Sequence, residues 1–334
     1  VLRSQGVELI DRFSLGALIT LLSSELVVLS HSARDAYLTR RKRGRAVVNL
    51  WHGVAIKRIE AMMLPRGSLR AHRSRQRRIA ENSRLYDAVI ASNPVDQLVN
   101  ALAFAVPHHR VHPIGLPRFD YLLEPWQQWP DDLRAQRQAL EAQLKGRQLI
   151  LYAPTFREGG SKLADLITAD DLALIREHCQ ANGSVLGIRP HPYWEGQQQE
   201  LCDGDTILNA GTQHLPEPAV ALSLASVLVA DYSSIWVDYL LLNRPIFGLM
   251  PDLEGYIDKE RGFLYNLNDM FPGAIMETWR EFLLAATVQS QDNPHTQPQN
   301  PKASILLLPF NRTNPTIRKR CQSLLKQWIT KEAS

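Results

Sequence analysis

The sequence is poor in cysteine, and its few cysteines show no spacing that would suggest a shared site. Its 334 residues include only Cys179, Cys202 and Cys321, which are scattered and form no Cys-x-x-Cys motif. Three cysteines cannot all pair within one chain, and paired spacings are the usual sign of structural zinc. These features argue against a disulfide framework and against a zinc site, and they favour a reducing compartment.

A long hydrophobic run is also missing. The longest apolar stretch near the start of the sequence, Leu15–Leu29, is interrupted by the polar segment Ser23–Glu25. A helix needs about 20 consecutive apolar residues to cross a bilayer. The stretch also lacks the order of basic, apolar and small residues that is typical of a signal peptide. We therefore expect a cytoplasmic protein.

The net charge is only +4, but the basic residues are unevenly distributed. One cluster is the segment Arg40–Arg45, and a second group of six arginines lies within Arg66–Arg78. Such asymmetry predicts an anionic partner. The clusters contain no interleaved aromatic residues, and the chain shows no recognisable nucleic-acid-binding module, so we expect no nucleic-acid partner.

Short apolar runs alternate with helical patterns along the chain, and this alternation is typical of parallel sheets built from βαβ units. The predicted strands are, in the first half, Glu25–Leu29, Ala46–Leu50, Asp87–Ala91 and Val111–Ile114, and, in the second half, Gln148–Ala153, Val185–Ile188, Ser226–Ala230 and Pro245–Met250. Two such sheets predict an α/β fold with two facing Rossmann-like domains, the GT-B fold, and an interdomain active-site cleft.

The sequence also suggests where the domains meet. A chain of this length commonly forms domains of about 150 residues, and the segment 125–146 is rich in glutamine and helix-forming residues. We therefore predict an N-terminal domain over residues 1–124, a connecting helix over 125–146, a C-terminal domain over 147–310 and a last helix within 311–334.

Two histidines follow predicted strands, at the edge where parallel sheets bind their ligands. His52 comes directly after the second strand, within the letters NLWHG, and Lys57 follows it. A neutral imidazole at this edge can accept a proton from an attacking hydroxyl. His191 lies between Pro190 and Pro192, which restrict its backbone and suit a fixed contact with charge. A single histidine in such a position more often makes a structural hydrogen bond, but two of them at strand ends favour a functional role.

A serine pair occupies a similar position in the second half. The segment from Ser226 to Met250 has the pattern of a strand, a turn, a helix and a strand, and Ser233 and Ser234 precede the predicted helix. A helix start at a strand end offers unpaired N–H groups and a positive dipole, which together bind phosphate. The same serines can also serve only as helix caps, and the spacing does not separate these interpretations.

Six segments of the chain are similar to blocks of one known family. They are NLWHGVAIKRI, IGLPRFDYLL, LYAPTFRE, RPHP, VADYSSIWVDYLLLNRPI and DLEGYIDKERGF. In this order they resemble the CDP-glycerol glycerophosphotransferase family of teichoic-acid and capsule synthesis, and the similarity runs from about His31 to Asn268. One departure is Val54–Ile56, where the family often has Thr-Pro-Leu, although Lys57 keeps the basic residue that follows.

The resemblance implies a transferase that moves a polyol phosphate, glycerol phosphate first, from a CDP-alditol to a hydroxyl of an envelope glycan or lipid-linked acceptor and releases CMP. It implies that His52 is the catalytic base and that His191 is a second essential residue near the donor phosphates. It places the acceptor on the N-terminal domain and the CDP donor on the C-terminal domain. The donor phosphate contacts that we predict are Ser233, Ser234, Arg261 and Arg157.

The acceptor side of the predicted site includes a basic segment. The arginines within Arg66–Arg78 match no block of the family, and they form either a solvated helical face or a contact with a membrane or polyanion. Because lipid-linked acceptors lie at the cytoplasmic leaflet, we predict a peripheral protein at the cytoplasmic face of the plasma membrane, in contact with its anionic surface. The predicted acceptor or membrane contacts are Lys57, Arg73, Arg77 and Arg78.

The main alternative function is that of a glycosyltransferase. A GT-B fold also hosts glycosyltransferases that use a nucleotide-sugar donor, and the His52 segment together with the serine pair is what argues against them. The sequence contains no carboxylate cluster that demands a metal ion, so we predict no required cofactor. Whether a divalent cation takes part is not decided by the sequence. Arginines and a helix dipole can neutralise phosphates instead. Glycerol and ribitol both remain possible as the alditol.

Overall fold

The computed structural model describes residues 7–65, 67–157, 161–259, 262–292 and 317–331. These residues form two compact units, each with its own parallel sheet. Within the described ranges, the first unit contains residues 7–120, 262–264 and 317–331, and the second contains residues 121–259 and 265–292. Helices connect most of the neighbouring strands, so the predicted α/β class with two Rossmann-like sheets is confirmed.

The secondary structure of the described ranges is as follows. The strands are β1 (Leu26–Leu29), β2 (Ala46–Asn49), β3 (Ala88–Ala91), β4 (Val111–Pro113), β5 (Gln148–Ala153), β6 (Ser184–Ile188), β7 (Ile207–Asn209), β8 (Ala225–Ala230), β9 (Ile246–Leu249) and β10 (Ile275–Met276). The helices are α1 (Leu15–Ser23), α2 (Leu69–Leu85), α3 (Pro94–Ala103), α4 (Asp120–Leu123), α5 (Asp131–Leu144), α6 (Ala169–Ala181), α7 (Pro218–Leu224), α8 (Ile235–Tyr239), α9 (Leu253–Lys259), α10 (Leu267–Met270), α11 (Trp279–Asp292) and α12 (Ile317–Lys331).

The sheet of the first unit has the spatial order β1-β2-β3-β4, and every neighbouring pair is parallel. Every residue of β2 and β3 is buried. Strands that are buried on both faces form continuous apolar runs, which is why the sequence predicts them well. Each fully buried valine, such as Val48 or Val89, contributes about 1.5–3 kcal/mol relative to an exposed one.

The sheet of the second unit has the order β10-β9-β8-β5-β6-β7, again with every pair parallel. From β5 the chain builds outward through β6 and β7, and it then returns to the other side of β5 to build β8, β9 and β10. The gap between the ends of β5 and β8 is therefore a topological switch point. In open parallel sheets, ligands bind outside the carboxyl ends of the strands at such a point.

The chain passes from the first unit to the second between Asp120 and Tyr121 and later returns. The C-terminal helix α12 belongs to the first unit, and its first residue is anchored there because the N–H of Ile317 donates to Asp120 Oδ1 at 2.9 Å. Ile317 and Cys321 are buried. Helix α5 lies inside the segment predicted as a connecting helix, and it belongs to the second unit.

All eight predicted strands are present, and no end differs from its prediction by more than one residue. The sequence did not predict β7 and β10, which are edge strands of three and two residues. In the part of the chain that the structure describes, no helix is both long and apolar enough to cross a membrane.

Candidate active site

The chain turns sharply after β2. Trp51 has a left-handed φ of 56°, a conformation that costs an L-residue about 1–2 kcal/mol. Asn49, the last residue of β2, is fully buried and holds this turn. Its Oδ1 accepts from the Trp51 N–H at 2.8 Å, and its Nδ2 donates to the His31 carbonyl at 2.9 Å. One buried amide thus joins the ends of β1 and β2 and fixes the backbone before His52.

His52 is exposed at this strand end, as the sequence predicts. Its Nδ1 lies 3.0 Å from the carbonyl oxygen of Ser30. A carbonyl can only accept a hydrogen bond, so Nδ1 carries the hydrogen and the neutral ring has its lone pair on Nε2. This is the tautomer that a general base needs.

Two further aromatic rings lie against His52. The ring of His31 stacks on it at 5.2 Å with an interplanar angle of 11°, and the ring of Trp51 lies at 3.9 Å. His31 Nδ1 is in turn 3.0 Å from Asp35 Oδ2. Neither His31 nor Asp35 was predicted from the sequence as a site residue.

A buried carboxyl supports the same loop from α3, the helix that follows the neighbouring strand β3. Asp96 Oδ2 accepts from the N–H of Ser92 at 2.7 Å, and the carboxyl also accepts from the N–H of Ala55, three residues beyond His52. Burial raises the pKa of Asp96 to about 6, although these hydrogen bonds act in the opposite direction. The buried carboxyl of Asp96 therefore joins the chain segments that follow β2 and β3.

Residues 262–264, at the end of the DLEGYIDKERGF block, lie beside the segment that follows His52. Lys57 and Phe263 form an antiparallel bridge, the N–H of Arg58 donates to the Gly262 carbonyl at 3.1 Å, and the N–H of Leu264 donates to the carbonyl of the residue before Lys57 at 2.9 Å. Two blocks that are about 200 residues apart in sequence are thus neighbours in the first unit. The predicted phosphate contact Arg261 lies outside the described residues.

In the second unit, polar residues meet at the switch point between β5 and β8. Asp231, directly after β8, is fully buried and accepts from the N–H and the hydroxyl of Thr155, with a shortest distance of 2.6 Å. Arg157 donates from Nη1 to Asp231 Oδ2 at 2.8 Å and from Nε to Asp252 Oδ2 at 2.8 Å. The turn after β8 is thus held to the turn after β5.

The guanidinium of Arg157 is committed to these internal partners. It is buried, it binds two carboxylates and the Thr155 carbonyl, and it lies over the Tyr232 ring at 4.7 Å. Burial alone would lower its pKa, but the two carboxylates reverse this and raise it. Four of its N–H groups are used in this way. A direct phosphate contact by Arg157 stays a prediction, and the structure favours a supporting role.

The serine pair lies in the turn between β8 and α8, and both residues are half-buried. Ser234 occupies the position before the helix, yet its side chain makes no capping hydrogen bond. Ser233 Oγ accepts only a long bond, 3.4 Å, from the N–H of Ile235. Helix capping therefore does not account for the hydroxyl of Ser234, and phosphate binding by the serine pair stays a prediction.

His191 follows β6, next to β5 in the sheet. Its Nδ1 accepts a hydrogen bond from the backbone N–H of Tyr193 at 3.3 Å. The neutral ring must then carry its hydrogen on Nε2, which can donate to an anionic oxygen. The ring is further fixed by Tyr193 at 5.0 Å and Phe156 at 6.1 Å. The two predicted catalytic histidines thus have opposite tautomers.

One pair of carboxylates was overlooked in the sequence. Asp203 and Asp205 have Asp-x-Asp spacing, but both are used within the fold: Asp203 accepts three backbone N–H bonds and pairs with Arg176, and Asp205 pairs with Lys145 and Arg147. Among the described residues, no group of three or more histidine, cysteine or acidic side chains is arranged to hold a metal ion.

The predicted membrane contacts lie on α2, apart from Lys57. Arg73 is exposed, and Arg77 is also exposed but pairs with Glu81 at 2.9 Å. Arg78 points to a different side of the helix and lies 3.9 Å from Glu60. Arg73 and Arg77 therefore share a face, and Arg78 does not.

The chain is similar to known proteins in sequence and in fold. The family model described as CDP-glycerol:poly(glycerophosphate) glycerophosphotransferase matches residues 2–304. The teichoic acid ribitol-phosphate primase of Bacillus spizizenii is 31% identical over 193 residues, 57% of this chain and 47% of that protein. The teichoic acid poly(glycerol phosphate) polymerase of Bacillus subtilis is 24% identical over 290 residues, 84% of this chain and 37% of that protein.

The fold has a solved relative. A structure of the wall teichoic acid polymerase TagF superposes with a TM-score of 0.76 at 19% identity, covering 98% of this chain and 79% of that one. The chain spans about half the length of the curated relatives that it matches. Since the family model extends over nearly all of the residues that build both sheets, the chain belongs to the CDP-glycerol:poly(glycerophosphate) glycerophosphotransferase family.

Proposed function

We propose that this protein transfers a polyol phosphate from a CDP-alditol to a hydroxyl group of an envelope glycan or lipid-linked acceptor and releases CMP. Glycerol phosphate is the first candidate because the family model is described by that substrate. Relatives are named as primases and polymerases of teichoic acids that contain ribitol phosphate or glycerol phosphate. A variant of TagF has also been studied after a soak with CDPG.

The observation that carries this proposal is the opposite tautomers of the two histidines. The bond from His52 Nδ1 to the Ser30 carbonyl gives Nε2 a lone pair that can take a proton. The bond from the Tyr193 N–H to His191 Nδ1 gives its Nε2 a hydrogen that can be donated. Transfer of a phosphoryl group to a hydroxyl needs one group of each kind, a base for the nucleophile and a donor for the phosphate oxygens.

The chemistry is an in-line displacement. The acceptor hydroxyl loses its proton to His52 Nε2 while its oxygen forms a bond to the phosphorus that carries the alditol. The bond from that phosphorus to the bridging oxygen breaks, and this oxygen leaves on CMP. Most of the catalysis in such reactions comes from positioning and from stabilisation of the phosphate charge. We assign the second task to the N–H of His191, the hydroxyls of Ser233 and Ser234, and Arg261.

Arg157 has an indirect part in the proposed donor site. It binds Asp231 and Asp252, and so fixes the turn that carries the serines. Asp231 is fully buried and accepts from Thr155 as well, which makes the turn after β8 rigid without any ligand. A preformed phosphate site of this kind loses little conformational entropy when the donor binds.

We further propose that the protein is peripheral to the cytoplasmic face of the plasma membrane. Two surfaces of the first unit support this. The exposed arginines of α2 provide positive charge, and α1 exposes Leu15, Ile19 and Leu22 with no buried residue of its own. Basic charge and exposed apolar side chains together favour an anionic lipid surface.

Product analysis tests the proposed reaction. The purified protein is incubated with a synthetic lipid-linked disaccharide and, in parallel, with CDP-glycerol, CDP-ribitol or a nucleotide sugar. Mass spectrometry should show the acceptor with one or more added alditol phosphates, and CMP should be released in equal amounts. Sugar transfer from the nucleotide sugar, with both CDP-alditols unused, would assign the protein to the glycosyltransferases instead.

A further inference from the structure

A second histidine and a carboxylate stand directly beside His52. The His31 ring stacks on the His52 ring at 5.2 Å and nearly parallel to it, and His31 Nδ1 is 3.0 Å from Asp35 Oδ2. We propose that His31 and Asp35 form a positioning pair for His52, which orients its ring and offsets the positive charge that it gains on accepting a proton. This inference rests on the function proposed above, in which His52 is the base.

The pair is held by several hydrogen bonds, although more than half of each side chain is exposed. Asp35 Oδ2 also accepts from the N–H of Ser32 at 3.0 Å, in a capping box that closes a 3-10 turn over residues 33–36. The His31 carbonyl is held by the fully buried Asn49. The Ser32 hydroxyl accepts from Asn82, on α2, at 3.2 Å. The His31 side chain is thus held by Asp35, and its backbone is held by Asn49 on β2.

The chemical effect follows from the direction of the hydrogen bond. A carboxylate can only accept, so His31 donates from Nδ1, and the negative charge of Asp35 makes its ring richer in electrons. When His52 Nε2 takes the proton of the acceptor hydroxyl, the new cation lies against this ring. Stacking of a cation on an electron-rich ring is favourable. Asp35 takes no proton in this step, and His31 keeps the one it has.

The other charged groups near the pair are already engaged or belong to the loop of His52 itself. Glu60 lines the small cavity beside His31 and Trp51, and it faces Arg78 at 3.9 Å. Arg34 is paired with Glu81, and Lys57 lies on the chain after His52. Asp35 contacts one imidazole of this stack, that of His31, at 3.0 Å.

Asp35→Asn tests the proposal. Asparagine retains an oxygen that can accept from Ser32, so the turn is kept and only the charge is lost. Loss of a negative charge makes protonation of His52 harder, so the acidic limb of the pH–rate profile should move to lower pH by about half a unit to one unit. At the plateau kcat should fall about three- to tenfold because the base is weaker, while the KM for CDP-glycerol stays unchanged.

A measurement without substrate separates this inference from the proposed function. The midpoint of the NMR titration of the labelled His52 ring should move to lower pH in Asp35→Asn, and Asp35→Glu should restore part of it. Glu25→Gln is the matched control, because it removes an exposed charge at the opposite end of β1. It should change neither readout.

His31→Phe provides a second line of evidence. Phenylalanine keeps a ring in the stack but cannot donate to Asp35, so kcat should fall as in Asp35→Asn, and the double variant should lose no more than either single one. An unchanged His52 titration midpoint in a folded Asp35→Asn variant overturns the inference, whatever the reaction. Absence of any alditol-phosphate transfer by the wild-type protein, with the midpoint shifted as expected, overturns the proposed function alone.

Discussion

At the scale of single residues, Arg157 shows how a side chain at a strand end can serve the fold. Its guanidinium is buried between Asp231 and Asp252, and the first of these carboxylates is fully buried as well. Burial alone would raise the pKa of Asp252, but the hydrogen bond and charge of Arg157 lower it below its ordinary value. The arginine therefore compensates two carboxylates that would otherwise destabilise the turn before the serine pair.

We expect Arg157→Ala to reduce stability before it reduces donor affinity. Removing one partner of a buried ion pair costs about 3–5 kcal/mol, because it leaves uncompensated charge in the interior. Urea unfolding near neutral pH should show this loss. A carboxylate with a lowered pKa stabilises the fold above its ordinary pKa and loses that contribution as pH falls through the lowered one. The difference from wild type should therefore shrink below about pH 4.

Affinity of the Arg157→Ala variant for CDP-glycerol should be measured below the unfolding transition, so that a loss of donor binding is separated from a loss of stability. Arg157→Lys keeps the positive charge but loses the two-point bond to Asp252, so its stability should lie between those of the wild type and the alanine variant. An alanine variant that unfolds like the wild type but binds CDP-glycerol more than tenfold more weakly would show that Arg157 contacts the donor directly.

At the scale of secondary structure, the sequence predicts the buried strands. It does not predict the short edge strands or the contacts between residues that are distant in the chain. The long apolar strands, such as β5 and β8, are visible because both faces are covered. The edge strands β7 and β10 are too short to produce a pattern. The end of β2 could be predicted to carry His52, but the stack on His31 and the bonds of Asn49 join residues about 20 apart. No local spacing encodes such contacts.

Helix α2 has one face that is basic. At about 100° per residue, Arg70, Arg73 and Arg77 fall within a sector of roughly 60°, and all three are exposed. Glu81 shares this face and pairs with Arg77, so part of the charge is already neutralised. Arg78, which we predicted as a contact from sequence, lies about 100° further round and is better placed beside Glu60.

Replacing Arg70, Arg73 and Arg77 with glutamine should reduce binding to anionic liposomes. Each basic residue near an anionic surface contributes about 1 kcal/mol, so the triple variant should sediment much less at low salt. The difference should fade as salt screens the charges over roughly 8–10 Å. Replacing Arg134, Lys145 and Arg176 in the second unit removes the same charge and should have little effect. Equal sedimentation of both triple variants would show that this face is only solvated.

At the scale of the whole molecule, the two candidate groups belong to different compact units. His52 lies in the first unit, with the loop that pairs with residues 262–264, and His191 lies in the second unit, with the switch point and the serines. The interdomain active-site cleft stays a prediction. A division of labour nevertheless follows from the proposed roles, because the base acts on the acceptor and the hydrogen-bond donor acts on CDP-alditol phosphates.

The measurement that tests the account most directly compares His52→Ala with His191→Ala in two assays, calorimetric binding of CDP-glycerol and turnover with a lipid-linked acceptor. Loss of a general base costs about 10²–10⁴-fold in rate. His52→Ala should therefore lose turnover to this extent and bind CDP-glycerol like the wild type, whereas His191→Ala should also bind the donor more weakly. A His52→Ala protein that retains more than half of wild-type turnover would contradict the account.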